Sequence, residues 1–311
     1  MSNIFLQVLH TFIFVFIGYA LKKTGLITSR IEKKISLLSF NVLLPIILVT
    51  NILHFKFSHI FNLYLMISFF GSGILVFTLS FFIFKYLYDL KGDECTIFGF
   101  SSCYGNLIAI GIPLLNSILG SENTVPFMVL ALFQAIIHIT YTEVIIQHFR
   151  PQNKNAENKL INIAHGLFYN IVLLSIIVGI FLNYIGVELP SNLEFIVKLI
   201  TYFALPAILI TMGIIIASLK ISYQLPKISI LMIMKNIVHP IITFIVAKYI
   251  FQLTGQFIFI ATLAAALPSG IQTYYISYRY SLAKEIIATN VVFSTFLSFF
   301  TLSLLLFFFG Y

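Results

Sequence analysis

Residues 44–50 read LPIILVT and residues 205–211 read LPAILIT, so five of seven positions are identical and a sixth exchanges Val for Ile. Apolar helices resemble one another by chance, and seven residues alone decide little. Their setting decides more. Of 311 residues, 60% are hydrophobic and 9% are charged, whereas a soluble domain carries roughly a quarter charged residues. A hydrocarbon layer about 30 Å thick takes about 20 apolar residues per helix, so spans can be counted from the uncharged runs. Ten are expected: 4–21, 31–52, 61–87, 95–118, 124–149, 161–186, 194–218, 227–252, 256–278 and 285–309. The two quoted stretches fall in the second and the seventh.

A polar linker, RPQNKNAENKL at residues 150–160, divides the ten spans into five and five. It is too short to hold a domain of its own. Pro45 and Pro206 then hold the same ordinal place in the two halves. So do Pro113 in GIPLL of the fourth span and Pro268 in ALPSG of the ninth. Five is odd, so the second half enters the membrane inverted relative to the first. The expected fold is an all-α integral membrane protein of ten transmembrane helices. It is built as two inverted five-helix repeats, 1–149 and 161–311, around the cytoplasmic linker 150–160.

The formal charge of +8 reports topology rather than a nucleic-acid partner. Connections 1–2, 3–4, 5–6, 7–8 and 9–10 hold fourteen of the 18 Lys and Arg, from Lys22 and Lys23 to Arg279 and Lys284. The positive-inside rule makes these connections cytoplasmic and puts both termini outside. Lys22 and Lys23 follow the first span, the reverse of a signal peptide's charge order, so that span is expected to be retained. Short loops and this charge pattern fit a bacterial inner membrane. Cys95 and Cys103 lie eight apart and make no metal or redox spacing. No GxxxxGK[ST], HExxH or GxSxG motif occurs, so the expectation is a non-enzyme without cofactor or metal, driven by a gradient.

Residues 103–120, CYGNLIAIGIPLLNSILG, put an asparagine, glycines and a proline into an apolar span. Proline removes a backbone donor and glycine lets the chain leave helical geometry cheaply. Freed backbone groups are tolerated in a membrane only where protein or a cavity receives them. In an inverted repeat, broken helices of the two halves meet near the midplane, where half-helix N-termini attract an anion. Asn106, Gly111, Pro113, Pro268, Ser269 and Gln272 are therefore candidate substrate-binding residues, with Pro45 and Pro206 as structural helix breaks.

The run from Asn106 to Leu115, NLIAIGIPLL, resembles the fourth-span signature of the auxin efflux carrier family, in which asparagine precedes Gly-x-Pro-Leu. AAALPSGIQTYYISYRY with VVFSTFLSF (Val291–Phe299) is similar to that family's ninth-span region, and KNIVHP (Lys235–Pro240) to its eighth span. The resemblance covers the chain and implies a secondary transporter of organic acids, malate- or malonate-like for bacterial members. It further implies crossing broken helices 4 and 9, an elevator-like motion against a scaffold of spans 1, 2, 6 and 7, and often a homodimer. Gln272 departs from the asparagine that the family commonly carries there.

Ionisable residues inside spans are expensive and mark pathways. Lys235 and His239, four apart, share a helix face. The lysine could be a counter-charge for a carboxylate substrate, could replace a coupling cation, or could snorkel to the headgroups. Glu143, in a stripe with Gln134, His138 and Thr142, could carry a coupling proton or pair with Arg150. His10 reads as a packed or interfacial residue. No aspartate lies within a span, which disfavours a sodium site built on carboxylates and with it a cation/proton antiporter; a proton, rather than sodium, is the expected coupling ion. A sodium-coupled bile-acid-type symporter, a passive channel, and a sensor without flux stand as alternatives.

Overall fold

The computed structural model describes residues 2–53, 62–120, 124–150 and 171–310. Linker residues 151–160 and the first ten residues of the expected sixth span lie outside the described residues, as does the side chain of His10. Among the described residues there are twelve helical segments and no strand. They are α1 Ser2–Lys23, α2 Ser29–Leu53, α3 Leu63–Tyr88, α4 Gly92–Cys103, α5 Leu107–Leu119 and α6 Val125–Phe149. The second group comprises α7 Ile171–Tyr184, α8 Ser191–Ala217, α9 Leu225–Ile250, α10 Gly255–Ala266, α11 Ile271–Tyr280 and α12 Lys284–Phe309. Six of these, α2, α3, α6, α8, α9 and α12, are each long and apolar enough to cross a membrane. The expected fourth and ninth spans are instead two short helices each, α4 with α5 and α10 with α11.

Local chemistry sets the helix starts. The Asn62 side chain accepts from Leu65 N at 3.0 Å to cap α3, and Asp93 and Glu94 place negative charge on the first turn of α4. The packing forms two groups. The first joins α1 to α8 and α2 to both α7 and α8; the second gathers α3, α4, α6, α9, α10, α11 and α12.

Within the first group two glycines let backbones touch. A Cβ on Gly18 would stand 2.0 Å from the Ile210 carbonyl oxygen, and one on Gly213 2.0 Å from that of Val15. Gly213→Ala is therefore expected to push α1 from α8 and lower stability by about 1–3 kcal/mol. Thermal unfolding of the detergent-solubilised protein reads this, and an unmoved midpoint would refute the close contact.

The prolines correct an expectation. Neither Pro45 nor Pro206 breaks its helix: α8 runs as α-helix through Pro206, and α2 continues past Pro45. Pro45 instead follows a π turn at Ser39–Leu43, and Pro113 follows one at Leu107–Gly111 at the same spacing. Pro240 follows a third, at Met234–Val238, again with one residue between. A wide turn moves the backbone ladder outward just where a proline ring would strike the carbonyl four residues back, so the helix absorbs the proline without stopping.

Candidate functional site

The helical ladder stops at Tyr104–Asn106 and at Leu267–Gly270, and these two stretches cross. Gly105 and Ser269 form an antiparallel bridge, with Asn106 N donating to the Pro268 carbonyl at 2.9 Å and Gly270 N to the Tyr104 carbonyl at 2.9 Å. Part of the freed backbone of each half-helix is thus received by the other. Neither Gly105 nor Gly270 has a positive φ. Their need is close approach: a Cβ on Gly105 would lie 3.1 Å from the Ala264 carbonyl oxygen, and one on Gly270 3.0 Å from that of Gly105. Pro268 sits in its break, whereas Pro113 stands within α5, seven residues beyond Asn106.

Side chains answer several of the other freed groups. The Gln134 amide on α6 answers both backbone groups of Gly105, accepting from its N–H at 3.2 Å and donating to its carbonyl at 2.9 Å. Ser269 donates its hydroxyl to the Ser101 carbonyl at 3.0 Å, while its N–H donates to Ser294 Oγ at 2.9 Å. Ser294 Oγ in turn donates to Asn236 Oδ1 at 2.7 Å, and Asn290 Nδ2 donates to Ser101 Oγ at 2.9 Å. These groups are buried, and the network they form fixes the geometry of the crossing, with Asn290 Oδ1 as its one unpartnered atom among the described residues.

On one side of the crossing lies a cavity of about 950 Å³. Its inner wall includes Tyr104, Gly105, Asn106, Gln134 and Gln272, and its far end reaches Lys22, Glu32 and Lys33. The first turn of α5 and that of α11 both border it, so two half-helix N-termini bring their unsatisfied N–H ends to one space. Glu32 is paired with Lys22 at 2.7 Å, and among the described residues the inner wall carries no carboxylate. Asn106 also caps α5, its Oδ1 accepting from Ala109 N at 3.3 Å, while among the described residues its Nδ2 meets only Met212 Sδ at 3.6 Å.

Of the six candidate substrate residues, Asn106 and Gln272 line this cavity. Gly111, Pro113, Pro268 and Ser269 stand behind it. Gly111 makes room for packing, since a Cβ there would be 2.5 Å from Phe127 Cζ. Lys235 does not snorkel. It is fully buried on the opposite side of the crossing, donating to the Ala265 carbonyl at 2.6 Å and lying 3.3 Å from His239 Nδ1. The ammonium thus caps the C-terminal end of α10, where the helix dipole favours a cation.

Glu143 is buried and bonded to the guanidinium of Arg279 from α11. Arg150, the partner weighed for it from sequence, binds Asp93 and the Tyr280 carbonyl instead. Cys95 and Cys103 are both free and buried.

The sequence reading missed Arg279, Ser101, Asn236, Asn290 and Ser294. Asn290, Ser294 and Ser298 recur every four residues on the largely apolar α12, a stripe that could have marked the face turned to the crossing.

This arrangement, two opposed half-helix pairs over a polar-ended cavity, is matched by similarity across the chain. The family described as Membrane transport protein matches residues 3–306. The chain belongs to this family, that of the auxin efflux carriers. A relative from Rhizobium meliloti (strain 1021), described as "Putative malonate transporter", is 23% identical over 237 residues, covering 76% of this chain and 74% of its own. As a member of a membrane transport family the chain is a multi-pass membrane protein, and its apolar helices agree with that.

Proposed function

We propose that the protein is a secondary carrier of small organic anions of the malonate and malate type, coupled to protons and working by alternating access. The observation that carries this reading is the cavity wall where the N-termini of α5 and α11 meet beside the amides of Asn106 and Gln272, with no carboxylate at that end among the described residues. Paired helix N-termini and neutral amides suit a carboxylate, which accepts hydrogen bonds from both. The relative described as a malonate transporter supports the choice of a short dicarboxylate.

The same reading takes spans 1–149 and 161–311 as inverted five-helix repeats, with α4/α5 and α10/α11 as the broken fourth and ninth helices. The group of α1, α2, α7 and α8 would be the scaffold against which the crossing helices move. With Lys22 and Lys33 on the cytoplasmic face of a bacterial inner membrane and both termini periplasmic, the cavity opens inward. Lys235 supports proton over sodium coupling, because its ammonium already occupies the carbonyl end of α10 where a metal cation would be drawn.

The test is uptake of labelled malonate, malate and an aromatic acid into proteoliposomes, with and without a pH gradient. Wild-type protein is expected to show saturable, gradient-stimulated uptake of a dicarboxylate, and Asn106→Ala to lose it at normal membrane level. Unsaturable flux, or equal uptake by Asn106→Ala, would sink the carrier reading or the site.

A further inference from the structure

Outside the cavity lining, three basic side chains come together with no carboxylate paired to them among the described residues. Lys235 and His239 come from α9 and His138 from α6, and all three are fully buried. An ammonium only donates, so at 3.3 Å His239 Nδ1 is the acceptor from Lys235, and the ring's own proton is on Nε2. That Nε2 has no hydrogen-bond partner among the described residues, and neither does Nε2 of His138. The two Nε2 atoms look onto one gap, kept open by Gly73 of α3. A Cβ there would stand 2.8 Å from His138 Nε2 and 3.8 Å from His239 Nε2.

Each orphaned buried polar atom costs about 1–3 kcal/mol, which an apolar residue of similar size would remove. Two such atoms on one gap are poor packing and good proton chemistry. We infer that Lys235, His239 and His138 form a single proton-carrying site, joined through the space at Gly73, that holds and passes the coupling proton. This rests on the reading of the chain as a proton-coupled carrier and moves the proton away from Glu143, whose carboxylate is taken up by Arg279.

The groups facing the site from each side leave it short of negative charge. From α3 come Gly73, the rings of Phe69 and Phe70, and the Ser72 hydroxyl bonded to Thr243 Oγ1 at 2.6 Å. From the end of α4 comes the Cys103 thiol, which lies 3.3 Å from Tyr141 Oη, and from the break just after it Tyr104. From α6 come Tyr141 and the Gln134 backbone carbonyl, and from α10 the Ala265 carbonyl. Like charges this close repel strongly in a low dielectric, so the trio holds one excess proton rather than two or three.

The transfer balances. A proton leaves Lys235 Nζ for His239 Nδ1 as the His239 Nε2 proton passes across the gap to His138 Nε2. The result is a neutral amine, a neutral His239 now protonated on Nδ1, and a cationic His138. Lys235 then no longer donates as an ammonium to the Ala265 carbonyl. Its Nζ is also only 3.5 Å from where a Gly105 side chain would begin, so the change is felt directly at the crossing.

The test has two arms on the full chain. In lipid nanodiscs, histidine-selective nitrogen-15 spectra report tautomer and charge at each ring from about pH 4 to 9. His239 protonated on Nε2, with both buried rings responding to one shared protonation step, is expected. In proteoliposomes, the ratio of gradient-driven malonate uptake to malonate counterflow is expected to fall about tenfold or more in His138→Gln, in His239→Gln and in Gly73→Ala. Gly73→Ala removes no hydrogen-bonding group, so it reads the site even if a histidine variant fails to fold. Rings that stay invariant across the pH range, rings that titrate independently, or an unchanged ratio in folded variants would overturn the proposal. Joint titration in a wild-type protein that shows no malonate counterflow would overturn the substrate reading and leave the proton site standing.

Discussion

Arg279→Ala is expected to lower stability by about 3 kcal/mol, the low end for breaking a buried ion pair because Arg279 itself is more than half exposed. What the substitution leaves behind sets the size: a buried carboxylate on α6 with its cation gone. Glu143→Gln should be far milder, within about 1 kcal/mol, since the long guanidinium that remains can turn toward water and headgroups. The double variant Glu143→Gln with Arg279→Gln should regain most of what Arg279→Ala loses. Reversible unfolding of the reconstituted protein measures all three, and a mild Arg279→Ala would show that the pair is held only loosely. The same variants bear on coupling. If Glu143 carried the proton, Glu143→Gln would lose gradient-driven uptake; with the carboxylate committed to Arg279, that uptake is expected to persist.

How much of this was legible follows from which interactions are local. Length and hydropathy place a helix in a membrane one segment at a time, so the apolar helices could be read directly from uncharged runs. The two breaks were also legible, because the chemistry that ends a helix lies in the residues that end it. Their cause was read less well. Pro113 was taken as part of the break, but a π turn carries the helix past it, and a wide turn has no sequence mark beyond the proline that follows. Glycine in a break reads from sequence as a residue that leaves helical geometry cheaply, yet Gly105 and Gly270 are needed for close approach, which depends on a backbone about 160 residues away. Pairings were hardest. Glu143 has one arginine nearby in sequence, Arg150, and another that reaches it only through the fold, Arg279, and no local rule ranks them. His138 was visible as one member of a stripe on α6, but its nearness to His239 depends on α6, α9 and the absent side chain of Gly73 together.

Gln134→Leu is expected to have a comparably large effect, and for a reason specific to the crossing. Leucine has nearly the same volume, so packing is largely conserved. What disappears is the only side chain that answers both the N–H and the carbonyl of Gly105 among the described residues. At about 1–3 kcal/mol for each buried group left unpaired, the loss is about 2–6 kcal/mol, and it falls on the residue that bridges to Ser269. Uptake should be lost along with stability, because the first turn of α5 would no longer be held against α11. Gln134→Glu separates the two bonds. A protonated carboxylic acid can accept from the Gly105 N–H and donate to its carbonyl, as glutamine does, whereas a carboxylate can only accept and would face that carbonyl with like charge. Stability of Gln134→Glu relative to wild type should therefore rise as pH falls through the range where the carboxyl takes up its proton. A Gln134→Glu protein whose relative stability is flat with pH, or a Gln134→Leu protein as stable as wild type, would mean that the backbone at the crossing finds other partners and that Gln134 does not hold it.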